Sequence, residues 1–227
     1  MTEERTAGKL AQFRLTGFFI TFEGGDGCGK STQMGLLSAR LRAVGRRVVE
    51  TTEPGGTRIG KQIRRILLDS ANQELCPTAE MLLYFASRAQ NVEEVIRPAL
   101  ADGAVVLADR FTDSTLAYQG YGRGLGEELV AELDRISCRG LKPDLTVLID
   151  IDLETSLARA RQRNLDQTET RMDAQAAEFH GKVREAYLQM AQREPGRFRT
   201  IDGRASVEAV AEAVWKAVWP EVEKHGV

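Results

Sequence analysis

The chain of 227 residues is 42% hydrophobic and 28% charged, which suits one large α/β domain with a substantial core. Its net charge of −2 argues against a nucleic-acid-binding surface, and no apolar run approaches the ~20 residues of a membrane span. The three cysteines show no metal-binding spacing, so we expect free thiols and a cytoplasmic location.

The first predicted strand leads directly into a phosphate-binding sequence. Residues 1–16 are mixed and polar without the apolar core of a signal peptide, so we expect a flexible tail before a single domain at 17–227. Phe18–Phe22 is an apolar, β-favouring run. A glycine-rich turn follows it, and Lys30–Val44 then reads as a helix ended by Gly45.

This turn carries the P-loop pattern Gly24-x-x-x-x-Gly29-Lys30-Ser31 between a strand and a helix. Its glycines let successive backbone N–H groups converge on a phosphate, and the helix adds the positive end of its dipole. Lys30 would bridge the β- and γ-phosphates, and the Ser31 hydroxyl would ligate Mg²⁺. A turn that merely matches the pattern is the less favoured alternative. The predicted ATP-binding residues are Gly24, Gly25, Asp26, Gly27, Cys28, Gly29, Lys30, Ser31 and Thr32.

Strands and helices alternate through the rest of the chain. Thr78 is expected to cap a long helix that ends near Pro98. Asn164–Thr170 is a polar break between two later helices. The other predicted elements are the strands Val48–Thr51, Ala104–Ala108, Leu145–Ile149 and Phe198–Ile201, and the helices Arg58–Leu68, Glu127–Cys138, Leu153–Arg163, a helix ending near Arg193, and Val207–Val222.

The strands lack polar alternation, which is typical of a parallel sheet buried on both faces. We therefore predict an α/β, three-layer P-loop fold, with a five-stranded parallel sheet covered by helices and a short lid segment. Ligands of such sheets bind beyond the carboxyl ends of the strands. The loops of interest follow Phe22, Thr51, Ala108, Ile149 and Ile201.

Asp109 and Arg110 follow the buried strand Ala104–Ala108 directly. Asp109 ends an apolar run as a Walker-B acid does, and it could hold Mg²⁺ beside the P-loop. The alternative is a strand-end residue that caps the next segment. Arg110 would face a substrate phosphate. Arg64 could reach the same phosphate, although taken alone it is better read as part of a solvated helix face.

Phe85 and Arg88 are three residues apart on a predicted helix and so share a face. An aromatic ring beside a guanidinium can stack on a nucleobase while the guanidinium donates to a base carbonyl. The alternative is that Phe85 belongs to the core.

Four arginines flank the Asn164–Thr170 break, and we expect a lid over about residues 159–173. Mobile guanidinium groups that close over a transferred phosphoryl group would stabilise its charge, and a lid would exclude water. The alternative is a solvent-exposed basic helix. These arginines are Arg159, Arg161, Arg163 and Arg171.

From about Phe18 to Val222 the sequence resembles the bacterial thymidylate kinase family. The P-loop alone is shared by many functions, but its combination with the other motifs is specific. Besides the P-loop and the lid with Arg171, the motifs are Glu53-Pro54-Gly55-Gly56-Thr57, Leu67-Leu68-Asp69, Phe85-Ala86-Ser87-Arg88, Asp109-Arg110-Phe111, Ala117-Tyr118-Gln119-Gly120 and Lys142-Pro143-Asp144-Leu145-Thr146.

The resemblance implies a homodimer in which ATP and Mg²⁺ phosphorylate dTMP to dTDP for dTTP biosynthesis. It implies catalytic roles for Lys30, Asp109, Arg110 and Arg171, and Mg²⁺ ligation by Ser31 and Asp109. Phe85 would stack on thymine, Pro54 would be a turn proline that is often cis, and Tyr118 would lie near the deoxyribose. The full implied dTMP-binding set is Asp26, Glu53, Pro54, Arg64, Phe85, Arg88, Arg110, Ser114, Tyr118 and Gln119.

Three other functions compete with this interpretation. Another small-molecule kinase is disfavoured by the Phe85–Arg88 helix and by Tyr118-Gln119, which suit a pyrimidine base. A GTPase should carry an Asn/Thr-Lys-x-Asp motif, and the sequence has none. A regulatory nucleotide-binding protein without catalysis is disfavoured by the intact residues Lys30, Ser31, Asp109 and Arg171.

Overall fold

A parallel sheet forms the centre of the fold. The computed structural model of the chain describes residues 15–163, 171–172 and 175–227, without the side chains of 160–163. Within these ranges the five strands lie in the order β2–β3–β1–β4–β5, and each neighbouring pair is parallel. The predicted five-stranded parallel sheet is thereby confirmed. The strands are β1 (Phe18–Glu23), β2 (Val48–Thr52), β3 (Val105–Asp109), β4 (Leu145–Asp150) and β5 (Phe198–Asp202).

Helices connect these strands. Two π-helical segments, Val92–Ile96 and Leu116–Gly122, follow α3 and α5 respectively. No helix in the described ranges is both long and apolar enough to span a membrane. The helices are α1 (Lys30–Ala43), α2 (Arg58–Leu68), α3 (Pro77–Asn91), α4 (Arg97–Ala101), α5 (Thr112–Thr115), α6 (Glu127–Ser137), α7 (Leu153–Arg163), α8 (Ala177–Arg193) and α9 (Val207–His225).

The central strand β1 is buried on both faces. Phe18, Ile20 and Phe22 belong to the cluster that includes the apolar residues of α1 and α9. Phe19 points to the opposite face, where its ring lies nearly perpendicular to the Phe111 ring with 5.0 Å between ring centroids. Since successive side chains of a strand alternate between faces, a strand covered on both sides carries apolar residues on both. The two polar residues of β1, Thr21 and Glu23, are buried with hydrogen-bond partners.

Two boundaries differ from the sequence prediction. The helix expected to be capped by Thr78 begins at Pro77 with Cys76 as its N-cap. Proline suits a first helical position because that position needs no backbone donor.

At the start of the domain, the Thr16 amide donates to the Leu100 carbonyl (3.1 Å), so the end of the expected tail packs on the domain. Residues 1–14 lie outside the described ranges.

The expected lid is described only in part. Helix α7 ends at Arg163 and α8 begins at Ala177. Between them, Arg171 and Met172 are both buried. The predicted break at Asn164–Thr170 lies outside the described residues.

Candidate active site

A cavity of about 350 Å³ lies at the carboxyl edge of the sheet, where β1, β2 and β3 end. Its lining is rich in charged and hydroxyl side chains. Twelve residues predicted for the site line it: Asp26, Lys30, Ser31, Glu53, Pro54, Arg64, Arg88, Asp109, Arg110, Ser114, Tyr118 and Gln119. Five others were not predicted: Thr52, Leu68, Tyr84, Thr115 and Met172.

Strand register brings the P-loop next to Asp109 and Arg110. Phe22 of β1 is paired with Asp109 of β3, so both strands end at the same level of the sheet. Arg110 then adopts a φ of +71°, unusual for a residue with a side chain, and its amide donates to the Phe22 carbonyl (3.0 Å). The two segments therefore enter the cavity side by side.

The P-loop has the backbone that its glycines predict. Gly24, Gly27 and Gly29 have φ values of +135°, +77° and +98°. A Cβ atom on Gly24 would lie 2.4 Å from the Ile149 carbonyl oxygen, so the approach to β4 requires glycine there. Cys28 is buried in the core beneath the loop.

Lys30 and Ser31 place a cation and a hydroxyl at the start of α1. The Lys30 ammonium donates to the carbonyls of Gly24 (3.1 Å) and Gly25 (2.7 Å). The Ser31 hydroxyl donates to Asp109 Oδ2 (2.5 Å), which brings two oxygen donors together beside the P-loop. Oxygen donors of this kind suit Mg²⁺.

Arg110 forms an ion pair with Asp26 across the cavity. Its Nη2 atom donates to Asp26 Oδ1 (2.6 Å), and the Tyr118 hydroxyl donates to Asp26 Oδ2 (2.7 Å). Burial alone would raise the pKa of Asp26, but the charges of Arg110 and Lys30 outweigh it and hold this pKa well below its ordinary value. Asp26 is therefore ionised and pairs with Arg110.

A buried carboxyl group, Glu23, lies behind Arg110. Glu23 Oε2 accepts from the hydroxyls of Ser114 (2.6 Å) and Tyr187 (3.0 Å), and Arg110 Nη1 donates to both hydroxyl oxygens. Burial and the nearby charge of Asp113 raise the pKa of Glu23 to about 7. Neither Glu23 nor Tyr187 is predicted from the sequence, although a charged residue that ends an apolar strand is a signal for Glu23.

Arg88 is held on three sides and leaves one nitrogen unpaired. Its Nε donates to Glu53 Oε2, and its Nη2 donates to the Phe111 carbonyl (3.1 Å) and Thr115 Oγ1 (2.9 Å). The guanidinium also lies 5.0 Å from the centroid of the Phe85 ring. Among the described residues Nη1 has no hydrogen-bond partner, although Arg88 is only 1% exposed. A buried donor without a partner is unfavourable, so Nη1 suits a ligand acceptor.

Phe85 does not line the cavity, contrary to the expectation that it stacks on a base. Its ring is 4% exposed and packs with Met81 and Val130 in the core. Tyr84, the residue before it, lies in the cavity wall. Tyr84 is four residues before Arg88, and Phe85 is three residues before it. Both spacings place the aromatic ring on the same helix face as Arg88.

Glu80, in the first turn of α3, accepts hydrogen bonds from three side chains. It is fully buried, and it accepts from Gln119 Nε2 (2.8 Å), from Arg123 Nε and Nη2 (3.1 Å each) and from Arg171 Nη2 (2.5 Å). Burial raises the pKa of Glu80, but these hydrogen bonds outweigh burial and lower the pKa overall. Glu80 is therefore an ionised acceptor beneath the cavity.

Arg171 is tied to the domain and does not line the cavity. Besides Glu80 it contacts the Leu67 carbonyl through Nε (2.6 Å), and it is 2% exposed. In this position Arg171 contacts α2 and α3, and its predicted catalytic role stays a prediction. Arg159 is exposed, and the side chains of Arg161 and Arg163 lie outside the described part of the chain.

The turn after β2 positions Arg64. The Glu53–Pro54 peptide bond is cis, and the Pro54 carbonyl accepts from Arg64 Nη1 (3.0 Å). Both Pro54 and Arg64 line the cavity. A second basic side chain thus joins Arg110 at this end of the site.

Comparisons with known proteins agree on one family. The family model described as thymidylate kinase matches residues 22–214. Thymidylate kinases of Pelobacter propionicus and Geobacter sulfurreducens are 53% and 54% identical over 201 residues, which is 87% of this chain and 92% and 94% of theirs. The crystal structure of thymidylate kinase from Ehrlichia chaffeensis superposes with a TM-score of 0.74 at 32% identity, covering 89% of this chain and 98% of that one.

The raised pKa of Glu23 predicts how stability depends on pH. Because this pKa is about 7 in the folded chain and 4.5 ordinarily, the stability that Glu23 contributes is fully present below about pH 4.5 and is lost as pH rises through 7. Relative to the wild type, Glu23→Gln should therefore gain about 3 kcal/mol of unfolding free energy over this range.

Urea unfolding of both proteins at about pH 4.5, 6 and 8 measures this difference. Glu208→Gln, which alters an exposed carboxyl in α9, is the control. A difference between Glu23→Gln and the wild type that does not change with pH would contradict the prediction.

Proposed function

The chain belongs to the thymidylate kinase family, and we propose that the cavity described above is where it transfers the γ-phosphoryl group of ATP to dTMP. The products of this reaction are dTDP and ADP. The observation that carries the assignment of the cavity is its pair of polar groups, the unpaired Nη1 of Arg88 and the Gln119 amide, beside the arginines and the P-loop lysine.

The base of dTMP would lie at the end of the cavity formed by α3 and the Leu116–Gly122 segment. Thymine offers a carbonyl oxygen at position 4 and an N–H donor at position 3. Arg88 Nη1 would donate to the first, and the oxygen of the Gln119 amide would accept from the second. We assign the stacking contact to Tyr84 in place of Phe85, because the Tyr84 side chain lines the cavity.

The phosphate and sugar of dTMP would lie between the base end and the P-loop. Arg110 and Arg64 would hold the phosphate, since guanidinium groups match phosphate oxygens in geometry and charge. Asp26 is bonded to both Arg110 and Tyr118, so it fixes the guanidinium and a ring that would pack against the sugar. Ser114, which accepts from Arg110 and donates to Glu23, supports the same guanidinium.

The P-loop end would hold the ATP phosphates. Their oxygens would replace the carbonyls that Lys30 now contacts, and the N-terminus of α1 adds the field of the helix dipole. The adjacent oxygens of Ser31 and Asp109 suit a Mg²⁺ ion, which would neutralise charge on the β- and γ-phosphates. Lys30 would then stabilise the charge that develops during transfer.

The remaining charge on the transferred group would be met by an arginine of the lid. Arg171 already pairs with Glu80, so we assign it to positioning the lid base. The arginine that contacts the phosphoryl group is then among Arg159, Arg161 and Arg163. A closed lid would also keep water from accepting the phosphoryl group.

We propose a homodimer formed through α2, α3 and α6. α3 packs against both of the other helices, and all three carry exposed apolar side chains. Such a surface suits a second copy of the chain, because two apolar faces lose contact with water together. The side chains are Ile59, Ile66, Leu82, Leu129 and Ile136, all between 37% and 63% exposed.

A cytoplasmic location is proposed from the free thiols of all three cysteines.

Removing the P-loop ammonium should abolish most of the turnover. In a coupled ADP assay with dTMP, Lys30→Ala should lower kcat by at least about 100-fold, because the transferred group loses a cation that would stabilise its charge. Lys216→Ala, an exposed lysine of α9, is the control. Wild-type turnover on AMP or dCMP in preference to dTMP would overturn the proposed substrate.

Substitutions of the two neighbouring aromatic residues of α3 should have different effects. Tyr84→Ala should raise the KM for dTMP about tenfold, because base stacking on an aromatic ring is lost. Phe85→Ala should instead lower the free energy of unfolding by about 3 kcal/mol or more, because it opens a core cavity. Steady-state kinetics and urea unfolding of both variants separate the two roles. A raised KM for dTMP in Phe85→Ala with a loss of stability in Tyr84→Ala would instead assign the base contact to Phe85.

The proposed dimer predicts a mass near twice the 25.1 kDa of the chain. Leu82→Lys should reduce the mass measured by light scattering to that of a monomer, because it places a charge in the apolar interface. Leu36→Lys changes a similarly exposed leucine on α1 and should leave the dimer intact. A wild-type chain that is monomeric at micromolar concentration would refute this proposal.

A further inference from the structure

We propose that Glu80 makes the kinase selective for thymine over cytosine, by fixing which way the Gln119 amide faces. Glu80 would act as a positioning residue without touching the substrate. This inference rests on the proposed binding of the dTMP base between Arg88 and Gln119. It adds a residue that determines which pyrimidine the cavity accepts.

One hydrogen bond sets the direction of the Gln119 amide. Gln119 Nε2 donates to Glu80 Oε1 over 2.8 Å. An ionised carboxylate can only accept hydrogen bonds, so the NH₂ group of the amide must face Glu80. The amide oxygen is then the group that Gln119, a cavity-lining residue, can offer to a base.

Glu80 is held ionised although it is fully buried. Arg123 approaches one side of the carboxylate with two nitrogens, and Arg171 approaches from the lid side. Glu80 also lies in the first turn of α3, where the helix dipole favours a negative charge. Two guanidinium groups and a helix terminus thus keep it an acceptor.

Thymine and cytosine present opposite hydrogen-bonding groups at positions 3 and 4. Thymine has an acceptor at position 4 and a donor at position 3, which complement the Arg88 donor and the Gln119 oxygen. Cytosine has an amino group at position 4 and a lone pair at position 3, so it would oppose donor to donor and acceptor to acceptor. A site whose polar groups are fixed rejects the mismatched ligand because those groups are left unpaired.

Glu80→Gln tests this directly. The new amide would offer its oxygen to Arg171 and Arg123 and its NH₂ to Gln119. Gln119 could then turn its own NH₂ group toward the cavity, where it suits the cytosine lone pair. We expect the ratio of kcat/KM for dTMP to that for dCMP to fall at least about tenfold, with part of the change due to faster turnover of dCMP.

Two further variants exclude a general loosening of the site. Arg123→Met removes one partner of Glu80 but keeps the bond to Gln119, so the ratio should stay as in the wild type. In a Gln119→Leu background, Glu80→Gln should not change the ratio further, because the two residues act through one contact. If Glu80→Gln alone does not fold, the double variant Glu80→Gln/Arg123→Met, which removes a partner charge, is measured instead.

The outcomes are distinct. An unchanged dTMP/dCMP ratio in Glu80→Gln, with wild-type activity on dTMP, overturns the role of Glu80 and leaves the proposed function standing. An equal loss of selectivity in Arg123→Met also overturns it, because the effect would then be structural. A wild-type protein inactive on dTMP would instead refute the proposed function itself.

Discussion

The parallel pairing of β1 with β3 is the constraint on which the site depends. It ends both strands at one level, so the P-loop and the Asp109–Arg110 segment enter the same cavity. The positive φ of Arg110 and its bond to the Phe22 carbonyl then turn its side chain toward Asp26. A shift of either strand by one residue would reverse which side chains face the cavity. The geometry of the groups proposed to bind phosphate therefore depends on the pairing of these strands.

Buried charges around the cavity share one organisation. Glu53, Glu80 and Asp26 each pair with at least one arginine, and Glu53 and Glu80 are almost fully buried. Removing both partners of a buried pair from water is unfavourable, so such pairs are weak sources of stability. Here each pair fixes the direction of a group at the cavity, such as Arg88 Nη1. Donors held in fixed directions are what recognition of a base and a phosphate requires.

Local spacing predicted the helix that we propose contacts the base, but not which of its aromatic residues lines the cavity. Phe85 and Tyr84 are three and four residues before Arg88, and both spacings share a helix face. Contacts with Met81 and Val130 take Phe85 into the core and leave Tyr84 in the cavity wall. Arg171 is a similar case. A basic residue beside a polar break is expected to be mobile, but a buried carboxylate within reach can pair with it. Glu80 lies within reach.

The sequence alone determined the parallel α/β fold, the P-loop and the position of Asp109 at the end of its strand. These follow from local signals: apolar strands, glycine spacing and helix periodicity. The tertiary structure alone decided the networks of Glu23 and Glu80. The bond between Tyr187 and Glu23 spans 164 residues, and the bond between Arg171 and Glu80 spans 91. No local pattern encodes such contacts, since they exist only once the sheet and its helices have packed. The orientation of the groups that would bind the substrate depends on that packing.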